Sequence, residues 1–153
     1  MTPQSTQTLA IAYPGNAKPS ILVESDFNDI DVDAVTFKES AIQDLSDMIL
    51  DRDPAVLKEL VDAFLGEATR QIQGMLRAIR NDDMALLFLP AHSLKSSSAT
   101  FGAMRLAKLS QLVEDGLSGT RDKGLLTHLV DQIETEYAKV AIAMLHALAQ
   151  WRP

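Results

Sequence analysis

The sequence contains no cysteine, and aromatic residues make up only 5% of its 153 residues. The absence of cysteine excludes disulfides, thiolate metal sites and cysteine nucleophiles. Few aromatic residues disfavour a β-sandwich, because strands are usually rich in aromatic and β-branched side chains. The hydrophobic content is nevertheless 46%, and Leu, Ala, Ile, Met and Val supply most of it. This composition favours helices packed on helices.

Long apolar runs and an excess of positive charge are also missing. No apolar run approaches the roughly 20 residues that span a bilayer, and the N-terminus lacks the basic and apolar blocks of a secretory signal. Asp and Glu outnumber Lys and Arg by 21 to 14, which gives a formal net charge of -7. Such a surface disfavours nucleic acid and anionic membranes as partners. We therefore expect a soluble, cytoplasmic protein that binds neither.

Residues 1–35 show no helical period. Pro3, Pro14, Gly15 and Pro19 interrupt them, so we expect an irregular tail or a segment lying on the domain. The acidic residues near its end do not fit a calcium loop of the EF-hand type. A loop beginning at Asp29 would need glycine and glutamate at two positions that are occupied by other residues.

From residue 36 onward, capping signals and apolar residues at three- and four-residue spacing predict helices. Thr36 and Glu39 have the spacing of a capping box, which predicts a short helix over about 37–50. Asp53-Pro54 starts a second helix that runs to about residue 80. A third, capped by residues 81–83, runs to about 100. A fourth ends within 116–119, and a fifth starts near residue 122.

Four long helices with short connections favour an antiparallel packing of neighbours in sequence. The sequence therefore predicts an all-α, up-down four-helix bundle over residues 36–153, with the short N-terminal helix covering one end. Pro90 lies inside the third helix and removes a backbone hydrogen bond, so we expect a kink or a broken turn there. Gly102, in the corner after that helix, is predicted to have a structural role.

Helical phase separates the third helix into two faces. The outward face carries His92, Lys95, Ser96 and Ala99, with Phe88 one turn earlier. The inward face carries Leu87, Ala91, Leu94 and Ser98. The histidine therefore lies outside the apolar stripe, where another protein can reach it.

An outward histidine next to a lysine suits phosphoryl transfer. A neutral imidazole is a competent nucleophile near pH 7, because its unperturbed pKa is about 6.5. Lys95, one turn from His92, can stabilise the negative charge of a phosphoryl group. The small Ser96 leaves room for a partner and offers a hydroxyl donor. Phosphoryl transfer requires mainly positioning and charge stabilisation.

This segment resembles the signature of histidine phosphotransfer (HPt) domains of multistep two-component relays. His92, Leu94, Lys95 and the Gly102-Ala103 corner match that signature. The resemblance covers roughly residues 31–120, and the final helix agrees in length and phase. Two features depart from the common pattern: Ser96 replaces the usual glycine, and a proline at position 90 is less typical.

The resemblance implies that His92 accepts a phosphoryl group from one receiver-domain aspartate and passes it to another. It implies that Lys95 stabilises that group and that Ser96, Ala99 and Phe88 contact the receiver. The expected partners are response-regulator receiver domains and a hybrid sensor histidine kinase. The expected protein is a monomeric carrier and not an enzyme, since it has no ATP-binding or kinase motif. We expect no cofactor or metal of its own, with Mg²⁺ carried by the receiver.

Two other functions remain open at this point. One is a helical adaptor that binds receivers without transferring phosphate. The other is a cofactor-binding bundle, although the inward Glu and Glu-x-x-His sets typical of bundle metal sites are missing. His128 and His146 lie too far apart on one straight helix to share a metal, so we interpret them as surface histidines.

Overall fold

The structure, a computed structural model, describes residues 32–153. Five α-helices lie within this range: α1 (Ala41–Asp47), α2 (Pro54–Arg80), α3 (Phe88–Thr100), α4 (Met104–Ser118) and α5 (Lys123–Gln150). Two 3-10 turns, Leu50–Arg52 and Met84–Leu87, precede α2 and α3. Each of α2 to α5 packs on its neighbour in sequence, and α5 also packs on α2, which closes the bundle. The predicted all-α, four-helix architecture with a short additional helix is confirmed. Of residues 1–35, which the sequence predicts to be an irregular tail, residues 1–31 lie outside the described residues.

The two longest helices begin where the sequence predicts. The Asp53 carboxylate accepts a hydrogen bond of 2.9 Å from the Ala55 N–H, with Pro54 at the first helical position. The Asp122 carboxylate accepts one of 2.9 Å from the Leu125 N–H. These bonds satisfy backbone donors that the first turn leaves without intrahelical partners.

The core lies along the axis of the bundle, where all four long helices contribute buried apolar side chains. Leu57, Leu94, Leu106 and Ile133 are fully buried examples, one from each of these helices. Burying a leucine or isoleucine contributes about 1.5–3 kcal/mol each to the free energy of unfolding. This packing fixes the rotation of every long helix and therefore decides which side chains face solvent.

The start of α1 differs from the prediction. The helix begins at Ala41, not near residue 37, and the Ser40 hydroxyl donates to the Asp44 carboxylate. The residues that the sequence assigns to a capping box instead belong to a segment of bends and turns that binds the α3–α4 corner. There the Lys38 N–H donates to the Gly102 carbonyl over 2.8 Å. A tertiary contact of the backbone thus replaces the local capping pattern.

The start of α3 also differs from the prediction. A 3-10 turn stands between residues 81–83 and α3, so the polar residues there do not cap α3. The change of helix type falls between Leu87 and Phe88, which places Pro90 in the first turn of α3 and not in its interior. A proline is tolerated in a first turn because the N–H it lacks would have no intrahelical acceptor. The interruption expected at Pro90 therefore lies just before it.

The α3–α4 corner depends on a single glycine. Gly102 has a φ of +81°, which residues with a Cβ rarely adopt. A Cβ placed there would lie 2.5 Å from the Cβ of Ala41. The corner and α1 approach each other this closely only because position 102 has no side chain.

None of the helices in residues 32–153 combines the length and the apolar character needed to cross a membrane.

Candidate functional site

His92 lies on the outer face of α3, and 56% of its side chain is exposed. Ala91 and Leu94, which flank it in sequence, are fully buried and hold this face of α3 outward. The imidazole stacks on the ring of Phe88, with 5.5 Å between ring centroids and an angle of 14° between the planes. The imidazole is therefore accessible, and its ring is supported on one face.

A glutamate on α4 determines which nitrogen of His92 can react. Oε2 of Glu114 lies 3.1 Å from Nδ1 of His92, and only 12% of the Glu114 side chain is exposed. A carboxylate can only accept a hydrogen bond, so this contact places a hydrogen on Nδ1. Nε2 then carries the lone pair, and it is the nitrogen able to attack an electrophile.

The same glutamate also holds Lys95. The Lys95 ammonium donates to Oε1 of Glu114 and to Oε1 of Gln111, each over 3.0 Å. Only 29% of the Lys95 side chain is exposed, so solvent screens this contact less than it would screen a surface pair. Glu114 thus contacts both the His92 imidazole and the Lys95 ammonium through its two carboxylate oxygens.

The α3–α4 hairpin explains why these side chains meet. His92 and Glu114 lie equally far along the chain from Ala103, and so do Lys95 and Gln111. In an antiparallel hairpin, residues at equal distances from the corner lie across from each other. The fully buried Val113 fixes the rotation of α4, so that its neighbour Glu114 comes to the edge that faces α3.

The structure places the other predicted residues in two groups. Ser96 and Ala99 are exposed on the His92 face, and together with Phe88 they form a surface of small and apolar side chains around the histidine. Gly102 lies at the far end of α3, in the corner. Pro90 packs toward Gly74 of α2, where a Cβ added to the glycine would lie 3.8 Å from the Cβ of Pro90.

Sequence reasoning missed Glu114 and Gln111 as members of the site. Glu114 lies within the stretch that resembles the family, but no motif in the sequence assigns it a role. The signal that could have identified both residues is their spacing from Ala103, which equals that of His92 and Lys95 on the other side of the corner. A polar residue at the mirror position of a candidate nucleophile is a candidate partner.

The remaining histidines lie on α5, away from this site. His146 is exposed, whereas His128 is half-buried and lines a polar cavity of about 300 Å³ together with Arg105 and Glu136. The interpretation of His128 as a surface residue is therefore wrong in part, because α5 turns it toward α4. Among residues 32–153, no group of three or more histidine or acidic residues is placed to hold a metal ion.

Comparisons with known proteins agree with the fold. Residues 59–151 match the sequence model of the family described as "Hpt domain". Among solved structures, the chain is similar to histidine-containing phosphotransfer protein B (HptB) from Pseudomonas aeruginosa PAO1, with a TM-score of 0.62 and 24% sequence identity. That match covers 76% of this chain and 97% of the HptB chain. No curated protein sequence matches the chain.

Proposed function

The chain belongs to the Hpt domain family of histidine phosphotransfer proteins, and on that premise we propose that it relays a phosphoryl group between two receiver domains through His92. Members of this family are phosphoryl carriers and not kinases. The upstream receiver is that of a hybrid sensor kinase, and the downstream receiver belongs to a response regulator. His92, Lys95 and Glu114 all belong to one bundle, so the carrier works as a monomer.

The observation that carries this proposal is the contact between Glu114 and Nδ1 of His92. The lone pair on Nε2 attacks the phosphorus of an aspartyl phosphate, the bond from phosphorus to the aspartate oxygen breaks, and the carboxylate leaves with its electron pair. Nδ1 keeps its hydrogen, so positive charge develops on the ring as the new bond forms. The Glu114 carboxylate stabilises that charge at a distance of 3.1 Å.

The second half of the relay uses the same groups in reverse. An aspartate oxygen of the downstream receiver attacks the phosphorus, the bond between phosphorus and Nε2 breaks, and the electron pair returns to Nε2. A ring that is protonated on Nδ1 is a better leaving group than a deprotonated one. By holding that hydrogen, Glu114 assists both directions of transfer.

Lys95 supports the transfer through charge. An ammonium group one helical turn from His92 stabilises the phosphoryl oxygens while the group moves and after it has arrived. We propose that the carrier needs no metal of its own, and that Mg²⁺ bound by the receiver neutralises the acyl phosphate before transfer.

Docking uses the exposed surface around His92. Ser96 and Ala99 are small enough to let the receiver approach closely, and Phe88 contributes apolar contact area. Leu89, next to Phe88 in α3, and Leu86, in the 3-10 turn before it, are also exposed and add apolar surface at this end of the helix. The common family pattern has glycine at position 96, and serine preserves the small volume while adding a hydroxyl group.

The test is transfer of labelled phosphate from a phosphorylated receiver domain. We expect acid-labile, base-stable label on the parent protein, its loss in His92→Gln and its retention in His146→Gln, which changes an exposed histidine of α5. Addition of a second, unphosphorylated receiver should then remove the label. Equal labelling of parent and His92→Gln would refute the proposal. Tight binding of the receiver without any label on the parent would favour the alternative, an adaptor that does not transfer phosphate.

A further inference from the structure

Gln111 completes the environment of Lys95, and its amide group is held in a single orientation. Its oxygen, Oε1, accepts from the Lys95 ammonium over 3.0 Å, while its nitrogen, Nε2, donates to Oδ1 of Asp115 over 2.8 Å. An ammonium group can only donate and a carboxylate can only accept, so the reverse orientation of the amide would lose both bonds. Asp115 therefore keeps the acceptor atom of Gln111 directed at Lys95.

We propose that Gln111 and Asp115 are positioning residues for phosphoryl transfer, which act by holding the Lys95 ammonium beside His92. This inference rests on the proposed function of His92. An ammonium group has three donor hydrogens, and within residues 32–153 the oxygens of Glu114 and Gln111 are the acceptors of two of them. The third hydrogen remains for an oxygen of the phosphoryl group.

The advantage of this arrangement is entropic. A lysine side chain has four rotatable bonds, and fixing it at the moment of transfer would cost conformational entropy. Two acceptors on α4 fix the ammonium before the partner arrives, so the cost does not fall on the transition state. The Gln111 amide is neutral, so it accepts from the ammonium without placing a second negative charge in direct contact with Lys95, where that charge would repel the phosphoryl group.

The test compares Gln111→Leu, Asp115→Leu and Asp115→Asn with the parent. A matched control lies on α1, where Nε2 of Gln43 donates to Oδ1 of Asp47 over the same 2.8 Å and with the same spacing. We expect Gln111→Leu to slow transfer at saturating receiver by about two- to tenfold, less than the full effect of a hydrogen bond to a charged group, because Glu114 still holds the ammonium. Asp115→Leu should have a smaller effect. Asp115→Asn should behave nearly as the parent, since its amide oxygen still accepts from Gln111.

Two measurements separate positioning from a direct contact with the partner. A positioning residue changes the rate at saturation and leaves the dissociation constant for the receiver unchanged. Its effect should also vanish in a Lys95→Met background, because no ammonium remains to be held. Gln43→Leu and Asp47→Leu should transfer at the parental rate.

The inference is overturned if Gln111→Leu transfers at the parental rate. It is equally overturned if Gln111→Leu is as harmful in Lys95→Met as in the parent, since the residue would then act on the partner or on the fold. Neither result would affect the role of His92. If the parent takes up no label at all, the proposed function itself fails.

Discussion

At the scale of single residues, Glu114 is the group whose loss should damage the site most selectively. In Glu114→Gln, an amide NH2 group replaces one carboxylate oxygen, so the side chain cannot accept from Nδ1 of His92 and from the Lys95 ammonium in the same arrangement. Hydrogen bonds to charged groups contribute about 1.5–3 kcal/mol. We therefore expect transfer to His92 to slow by about ten- to a hundredfold, measured as the initial rate of label uptake.

The matched control for this change is Glu134→Gln, which alters an exposed glutamate of α5. Nitrogen-15 spectra of the imidazole provide a second readout, because Glu114→Gln should increase the fraction of His92 that carries its hydrogen on Nε2. An unchanged tautomer ratio together with an unchanged rate would show that the contact with Glu114 is incidental.

Phe88 should act on affinity more than on chemistry. Its ring supports one face of the imidazole and is 46% exposed. The exposed part of the ring is apolar surface that docking can bury, and burial contributes about 25 cal/mol per Å² of apolar surface. We expect Phe88→Ala to weaken binding of the unphosphorylated receiver by about three- to tenfold, measured by calorimetry. Leu145→Ala, which truncates an α5 side chain of similar exposure, 47%, should leave the affinity unchanged. Equal losses in both variants would contradict a specific role for Phe88.

The sequence alone identified the pair on α3 but not its partners on α4. His92 and Lys95 lie one turn apart on a single helix, so their proximity follows from the helical period. Glu114 reaches them only through the register of two helices, and that register depends on the geometry of the corner. No pattern within one segment of sequence contains this information.

At the scale of elements, the corner between α3 and α4 can be tested with two glycines. In Gly102→Ala, the backbone of the new alanine would have to keep a positive φ, and its Cβ would clash with Ala41. We therefore expect a loss of about 1–3 kcal/mol in the free energy of unfolding. Gly66→Ala is the matched control. Gly66 lies in the interior of α2, and an added Cβ would meet only the end of the Arg70 side chain, at 4.0 Å. This variant should gain about 0.5–1 kcal/mol.

Urea denaturation measures both changes. Gly102→Ala combined with Ala41→Gly should recover the part of the loss that is due to the clash, but not the part due to backbone strain. A stable Gly102→Ala protein would mean that the corner tolerates another conformation. In that case the register that brings Glu114 to His92 would need a different explanation.

Sequence patterns predicted the helices well where neighbouring residues determine them, and poorly where tertiary contacts do. Apolar spacing determines the inward faces of α2 and α4, Asp53 caps α2 as expected, and α5 begins next to Asp122 as predicted. The start of α1 could not be predicted, because the backbone near Lys38 bonds to the α3–α4 corner. The 3-10 turn before α3 was missed for another reason: residues 81–83 are polar, and polar residues suit such a turn as well as a helix cap.

At the scale of the whole molecule, one buried charge joins three parts of the fold that are distant in sequence. Glu136 of α5 has a side chain only 3% exposed, and Nε of Arg105 on α4 lies 3.5 Å from its carboxylate. The same arginine donates through Nη1 to the carbonyl of Val32 over 2.8 Å. The pattern of apolar residues on α5 gave no sign of this pair. Arg105 therefore ties the segment before α1 to the body of the bundle.

Breaking this link should destabilise the fold without altering the chemistry. Arg105→Met leaves Glu136 buried without its cation, which costs about 3–5 kcal/mol for a fully buried pair. We expect about 2–3 kcal/mol here, since Arg105 is 29% exposed and solvent screens it in part. Adding Glu136→Leu should restore most of that stability, because an apolar replacement of both partners removes the unpaired charge.

Urea denaturation of the single and double variants, with the transfer rate per folded molecule measured alongside, tests both halves of this expectation. Lys123→Met is the control, because it breaks an exposed pair with Asp82 and should cost less than about 1 kcal/mol. Arg105 touches neither His92 nor Lys95, so folded Arg105→Met should transfer at the parental rate. A slower folded variant would mean that the segment before α1 acts on the phosphoryl site through the hairpin. The link would then serve function as well as stability.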